Sequence, residues 1–238
     1  MIFITFLYIC IIMDNVKCLD CNVKSSAVQY LTDAQLHQLG NKSVEVHFES
    51  GEVIFKQNAL SSNIIYLKNG LVKLYMKGPS REQILKIVRA PAYLGIPTTV
   101  GDKVNHYSAM ALDHTEACFI DLSTFRELIH ANGNFAWEII LTLCRYELGQ
   151  FHRCINLTQK QLNGKLAGTL LFLANDIYES NSFHLHLTRL ELADIIGTTR
   201  ESISRILQTF VEDNLINVSG KTITLLNKEK LKIISQTG

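Results

Sequence analysis

The stretch LTRLELADIIGTTRESISR, residues 187–205, decides how this chain is read. It holds two Ser/Thr-x-x-Glu capping boxes ten residues apart, Thr188 with Glu191 and Thr198 with Glu201, each able to open a helix. Leu192, Ile195 and Ile196 give the first helix one apolar face. Gly197 supplies the turn from which a second helix can leave at a steep angle, so the pattern predicts a helix-turn-helix. In the second helix Ile203, Ile206, Leu207 and Phe210 recur at i, i+3, i+4 and i+7 and must face a core. The opposite face then presents Arg200, Glu201, Ser204 and Arg205. These groups suit a DNA major groove: Arg can bond bidentately to guanine, Glu can accept from the N4 of cytosine, and a hydroxyl can serve base edges or phosphate. The bland alternative is a solvated face with Glu201 and Arg205 as an i, i+4 ion pair.

Downstream, residues 215–218 and 221–226 flank Ser219-Gly220 and read as a hairpin, a wing whose Lys221 could touch a phosphate. Thr188, Thr199 and Lys221 complete the expected DNA-contact set. Against this, residues 161–238 carry eight Lys+Arg and eight Asp+Glu, so no net basic charge supports DNA binding independently. Upstream, a polar loop, residues 179–182, follows an apolar helix expected around residues 165–177.

Before that helix, residues 134–162 contain one Gly and no Pro, and Trp137, Leu141, Cys144, Leu148, Phe151 and Ile155 recur at alternating steps of four and three. This is a heptad seam, and a rod of that length favours pairing with a second copy over lying on its own barrel. Cys144 and Cys154 on or beside the seam read as packing residues. Residues 44–122 change period: 44–48 and 53–55 alternate as strands, 64–68 and 71–75 are separated by Asn69-Gly70, a type I′ hairpin signal, and apolar runs follow at 84–88 and 117–122. A small β-barrel or jelly roll is expected.

Over 238 residues, 47% hydrophobic content with 3 Pro excludes disordered and collagen-like classes. A net charge of +1 excludes a whole-chain basic field, so an anionic partner must meet a local patch. Six irregularly spaced cysteines do not make a secreted disulfide scaffold, which suggests a reducing cytoplasm. The uncharged stretch 1–13 is shorter than the roughly 20 apolar residues of a membrane span and lacks a basic start and a cleavage site. Translation is therefore expected to begin at Met13. No Ser/His/Asp arrangement, HExxH, phosphate loop or paired carboxylates point to an enzyme, and the eight histidines, His106, His114, His184 and His186 among them, are scattered.

Residues 187–205, followed by Asn214-Leu215-Ile216 and Gly220-Lys221-Thr222-Ile223, resemble the DNA-binding domain of the Crp/Fnr family of bacterial transcription regulators. The resemblance implies an α+β chain: an N-terminal extension with a CxxC pair (1–26), a cyclic-nucleotide-binding-like jelly roll (27–130), a dimerisation helix (131–160) and a winged helix-turn-helix (161–238). It places Arg200, Glu201 and Arg205 at the base contacts of the Crp branch, while Glu201, Ser204 and Arg205 fit the Glu-x-x-Ser-Arg version of the Fnr branch. It further implies a homodimer on a palindromic double-stranded DNA site, with RNA polymerase as a partner. The alternative is a small-ligand sensor without specific DNA readout.

For the effector, the resemblance offers two models. Crp-type members grip cyclic AMP with a Gly-Glu and an Arg-Ser pair; the matching places read Gly95-Ile96 and Asn105-His106. A cyclic phosphate buried without its guanidinium costs several kcal/mol, so tight cyclic AMP binding is not expected. Fnr-type members hold an iron-sulfur cluster on three N-terminal cysteines and one in the barrel. Cys18 and Cys21 resemble part of the first group and Cys118 the barrel cysteine, but residues 25–29 lack the third, and Cys10 could replace it only if the upstream start is used. Four thiolates are the usual holding set; zinc or a redox disulfide are alternatives for the CxxC pair, and the reading preferred over these is cysteines without a cofactor, or an unidentified small ligand.

Overall fold

The computed structural model describes residues 18–79 and 81–238; the apolar stretch, the expected start at Met13 and Cys10 lie outside them. Helix α1 (Asp33–Asn41) opens on a capping box between Thr32 and Gln35. Eight strands follow, β1 (Ser43–Phe48), β2 (Val53–Phe55), β3 (Asn63–Asn69), β4 (Leu71–Lys77), β5 (Glu82–Arg89), β6 (Ala92–Leu94), β7 (Ser108–Ala111) and β8 (Thr115–Asp121), with helix α2 (Ile96–Gly101) between β6 and β7. They form two antiparallel sheets, β1-β8-β3-β6 and β2-β7-β4-β5. Ile54, Ile65, Leu67, Val72, Val88, Ala109 and Ala117 fill the space between them. The outer face of the first sheet is also covered: Ile64, Tyr66, Cys118 and Ile120 pack against α1, the N-terminal segment and helix α3 (Leu122–Ala131). Burial on both faces explains why residues 64–67 are apolar without alternation.

The Asn69-Gly70 expectation is corrected here. β3 and β4 lie in different sheets, and of the two residues only Gly70 has a positive φ, +97°, whereas a type I′ turn needs both. The pair forms a corner between sheets; the hairpin partner of β4 is β5. A Cβ on Gly70 would stand 2.7 Å from the His114 carbonyl and from the Thr115 Cα. Gly51 has a similar φ of +91° with nothing within 4 Å. Gly51→Ala is therefore expected to cost only the left-handed strain, about 1–2 kcal/mol. Gly70→Ala should cost clearly more, which urea midpoints of the two variants will compare.

Helix α4 (Gly133–Gln159) runs 27 residues, capped by Asn132. It leads to α5 (Leu162–Phe172), which continues as a wider turn over Leu173–Ile177. Then come β9 (Ser182–His184), α6 (Arg189–Ile196), α7 (Arg200–Glu212), β10 (Ile216–Ser219), β11 (Thr222–Leu225) and α8 (Lys228–Thr237). The last sheet has the order β10-β11-β9, so a short strand begins at Ser182, the last residue of the expected polar loop. One core joins the C-terminal elements to Leu71, Ile84, Ile87 and Leu112 of the barrel. Among the described residues no helix is long and apolar enough to cross a membrane.

Candidate nucleic-acid interface

α6 begins on the expected capping box, in which Thr188 accepts from the Glu191 amide and Glu191 accepts from the Thr188 amide. It ends on Gly197 at φ +73°, and the Thr198 amide closes back onto the Ala193 carbonyl. Thr198 is thus consumed in finishing α6, and the second capping box does not form. Thr199 caps α7 instead, accepting from the Ser202 amide, which puts Glu201 one position short of the box. Both capping hydroxyls, Thr188 and Thr199, are committed to starting helices at the surface.

In α7, Ile203, Ile206, Leu207 and Phe210 are buried, and Arg200, Glu201, Ser204 and Arg205 are exposed on the other flank, as the periodicity requires. Ser204 donates to the Arg200 carbonyl. Among the described residues neither arginine of this face pairs with a carboxylate, so the expected alternative of a Glu201–Arg205 ion pair is not formed. Three side chains with unspent hydrogen-bonding capacity therefore stand on one face near the start of a helix. Lys221, also exposed, sits beside Gly220 (φ +59°) at the tip of the β10–β11 wing.

Sequence reasoning missed the barrel residues that hold this unit. Lys73 meets Glu191 at 2.5 Å, Arg81 donates to the Thr198 carbonyl, and Gln83 donates to the Asp194 carbonyl. Arg153 of α4 donates to the carbonyls of both Ile84 and Ile195, tying β5 to α6. No local spacing announces contacts that cross from about 40 to nearly 120 residues. Burial alone would push the Glu191 carboxyl up, but the hydrogen bonds from Lys73 and Thr188 prevail and hold it below the usual range. A depressed carboxyl contributes stability above its unfolded value and loses it as pH falls through the folded one. The contact between β4 and α6 should hence loosen below about pH 4. Limited proteolysis between the lobes at pH 7 and pH 3.5 will read this, and Lys73→Met should flatten the difference.

The expected effector residues are adjacent but turned to different tasks. Gly95 (φ +80°) caps α2, Ile96 is buried as its first residue, and buried Asn105 faces the Thr98 hydroxyl. His106 is exposed and pairs with Asp102 at 2.6 Å. A larger cavity, about 400 Å³, opens elsewhere, between β5, α4, α5 and α6. Lys86, Arg145, Arg153, Lys160 and Lys165 line it, with no Asp or Glu among the described residues of its walls. Lys86 lies 3.7 Å from the centroid of the Tyr146 ring.

Cys18, Cys21 and Cys118 do converge, lining a small cavity of about 30 Å³ under the N-terminal segment, with Tyr66 and Tyr93. Burial pushes the Cys18 thiol up to about 11 and the Cys118 thiol up to about 12, and the Tyr66 hydroxyl is buried without a hydrogen-bond partner among the described residues. Among the described residues three thiols converge there, one short of the four thiolates that usually hold a cluster; the remaining described cysteines, Cys144 and Cys154, lie on α4.

A family model of the Crp-like helix-turn-helix domain matches residues 164–234, and one of the cyclic nucleotide-binding domain matches residues 45–132. The fumarate and nitrate reduction regulatory protein of Yersinia pestis is 25% identical over 224 residues, covering 91% of this chain and 89% of that protein. The cAMP-activated global transcriptional regulator CRP of Escherichia coli O157:H7 is 25% identical over 202 residues, covering 82% and 91%. Among solved structures, FixK2 from Bradyrhizobium japonicum superposes with a TM-score of 0.75 at 17% identity, covering 82% of this chain and 98% of that one. A CooA mutant from Carboxydothermus hydrogenoformans gives 0.70 at 18%, covering 94% and 97%. A barrel, a long helix and a helix-turn-helix with an open polar face, matched in this order along most of the chain, place it in the Crp/Fnr family of DNA-binding transcription regulators.

Proposed function

We propose that the protein works as a homodimer paired along α4, reading a palindromic promoter site with Arg200, Glu201 and Arg205 of each copy while Lys221 holds phosphate. The observation that carries this reading is the uncovered stripe on α4: Trp137, Leu148, Phe151 and Ile155 are each more than half exposed. Among the described residues of α4 the fully buried ones are Phe135 and Ile139, in its first turns. A seam of that kind is closed by its own copy in a coiled coil, and two-fold symmetry then sets two recognition helices about one DNA turn apart. RNA polymerase is the partner such a promoter-bound dimer would meet, in the cytoplasm, and the work involves no catalysis.

The effector fits the five-cation cavity better than the surroundings of Gly95. Like charges gathered against apolar walls without carboxylates favour an anion, whereas Ile96 and the Asp102-bound His106 offer a cyclic phosphate no cationic grip. Light scattering together with selection from a random duplex library tests the main reading. The expected result is a dimer that enriches an inverted repeat with half-sites about 10 base pairs apart; a monomer, or enrichment without symmetry, would refute it.

A further inference from the structure

On the barrel surface three side chains from β1, β8 and the turn before β8 approach one another. His47 on β1 lies opposite Glu116 on β8 in the sheet register. The His47 and His114 rings stack at 6.0 Å between centroids, inclined by 20°. Among the described residues this is the one group of three or more His, Cys, Asp or Glu whose ligand atoms all lie within 4.8 Å.

A fourth residue gives the cluster its chemical direction. Glu49 Oε1 stands 3.1 Å from His114 Nδ1, while His114 Nε2 stands 3.9 Å from Glu116 Oε1. A carboxylate accepting from Nδ1–H fixes the tautomer that leaves the Nε2 lone pair free. That is the carboxylate–histidine–metal relay common at zinc sites. Ligand atoms bound at about 2.0–2.1 Å around a tetrahedral ion lie roughly 3.3 Å apart. The Nε2–Oε1 gap therefore closes with side-chain rotation alone. Two imidazoles and one carboxylate suit a borderline divalent ion such as zinc, nickel or copper rather than magnesium or calcium.

We propose that His47, His114 and Glu116 bind a divalent transition-metal ion on the barrel, with Glu49 as the positioning residue and water completing the exposed side. The test is calorimetric titration of untagged full-length protein with Zn²⁺, for the wild type, His47→Asn, His114→Asn and Glu49→Gln. Both histidines and Glu49 are exposed, so these variants should fold. The wild type should take up one ion per chain at this site. Either histidine substitution should remove it, and Glu49→Gln should weaken it roughly 10–100-fold. Co²⁺ absorption separates the site from the thiols near Tyr66, because histidine and carboxylate ligands give no thiolate-to-cobalt charge transfer in the near ultraviolet. The proposal fails if the wild type binds no ion, if both histidine variants keep the wild-type stoichiometry and affinity, or if all bound cobalt carries the thiolate band.

Discussion

Leu148→Asp with Phe151→Asp will leave a folded monomer that no longer distinguishes its operator from random DNA. Both side chains are more than half exposed on α4 and support no core within the chain, so the lone subunit loses little by their replacement. In the pair, each burial of such a side chain is worth about 1.5–3 kcal/mol, and the two-fold axis doubles the loss while setting four carboxylates against one another. Specific sites in this class of recognition are held about 10³-fold or more tighter than random DNA, and a single half-site supplies only part of that. Sedimentation should show the monomer, and filter binding should show operator and random duplex converging. A variant that stays dimeric would mean that α4 is not the contact between copies.

The second large effect separates reading from holding. Arg205→Ala removes an exposed guanidinium with no carboxylate partner among the described residues, so the free protein is scarcely altered. If Arg205 bonds bidentately to a base, each half-site loses about 1–3 kcal/mol and tolerates other bases at that position. Across a dimer the loss reaches roughly 2–6 kcal/mol. Lys221→Ala should instead weaken cognate and random DNA alike and reduce the steepness of the salt dependence by about one phosphate contact per subunit. Equal losses on cognate and random DNA for Arg205→Ala would contradict base reading.

What was legible in the sequence was local. Capping residues, Gly197 and the 3.6-residue apolar repeat of α7 act within a few residues of themselves, so they located the buried and exposed flanks of α7 and the β10–β11 hairpin. The error within that motif was one residue: two threonines stood at the helix start, and only the bond from the Thr198 amide to the Ala193 carbonyl decides that Thr199 is the cap. Asn69-Gly70 misled for a different reason. A dipeptide signals a reversal but not which sheet the chain enters afterwards, and Gly70 is demanded by the close approach of residues 114 and 115 from β7–β8. β9 escaped because three residues in a Ser- and Asn-rich stretch gain their strand character only from pairing with β11. The clamp of Lys73, Arg81, Gln83 and Arg153, the five-cation cavity and the pairing of His47 with Glu116 depend on segments that meet only once the chain has folded.

The unbroken α4 has a mechanical consequence. At 1.5 Å per residue it is about 40 Å long, with neither proline nor bulge to absorb bending. A tilt of about 5° imposed where Phe135 and Ile139 enter the barrel sweeps its far end by roughly 3 Å. Toward that end stands Arg153, whose guanidinium joins the helix to both α6 and β5. In the proposed dimer such a sweep in each copy would change the separation of the two α7 helices by an amount comparable to the rise between base pairs, so a small movement at one extremity would alter the phase in which the pair meets a duplex.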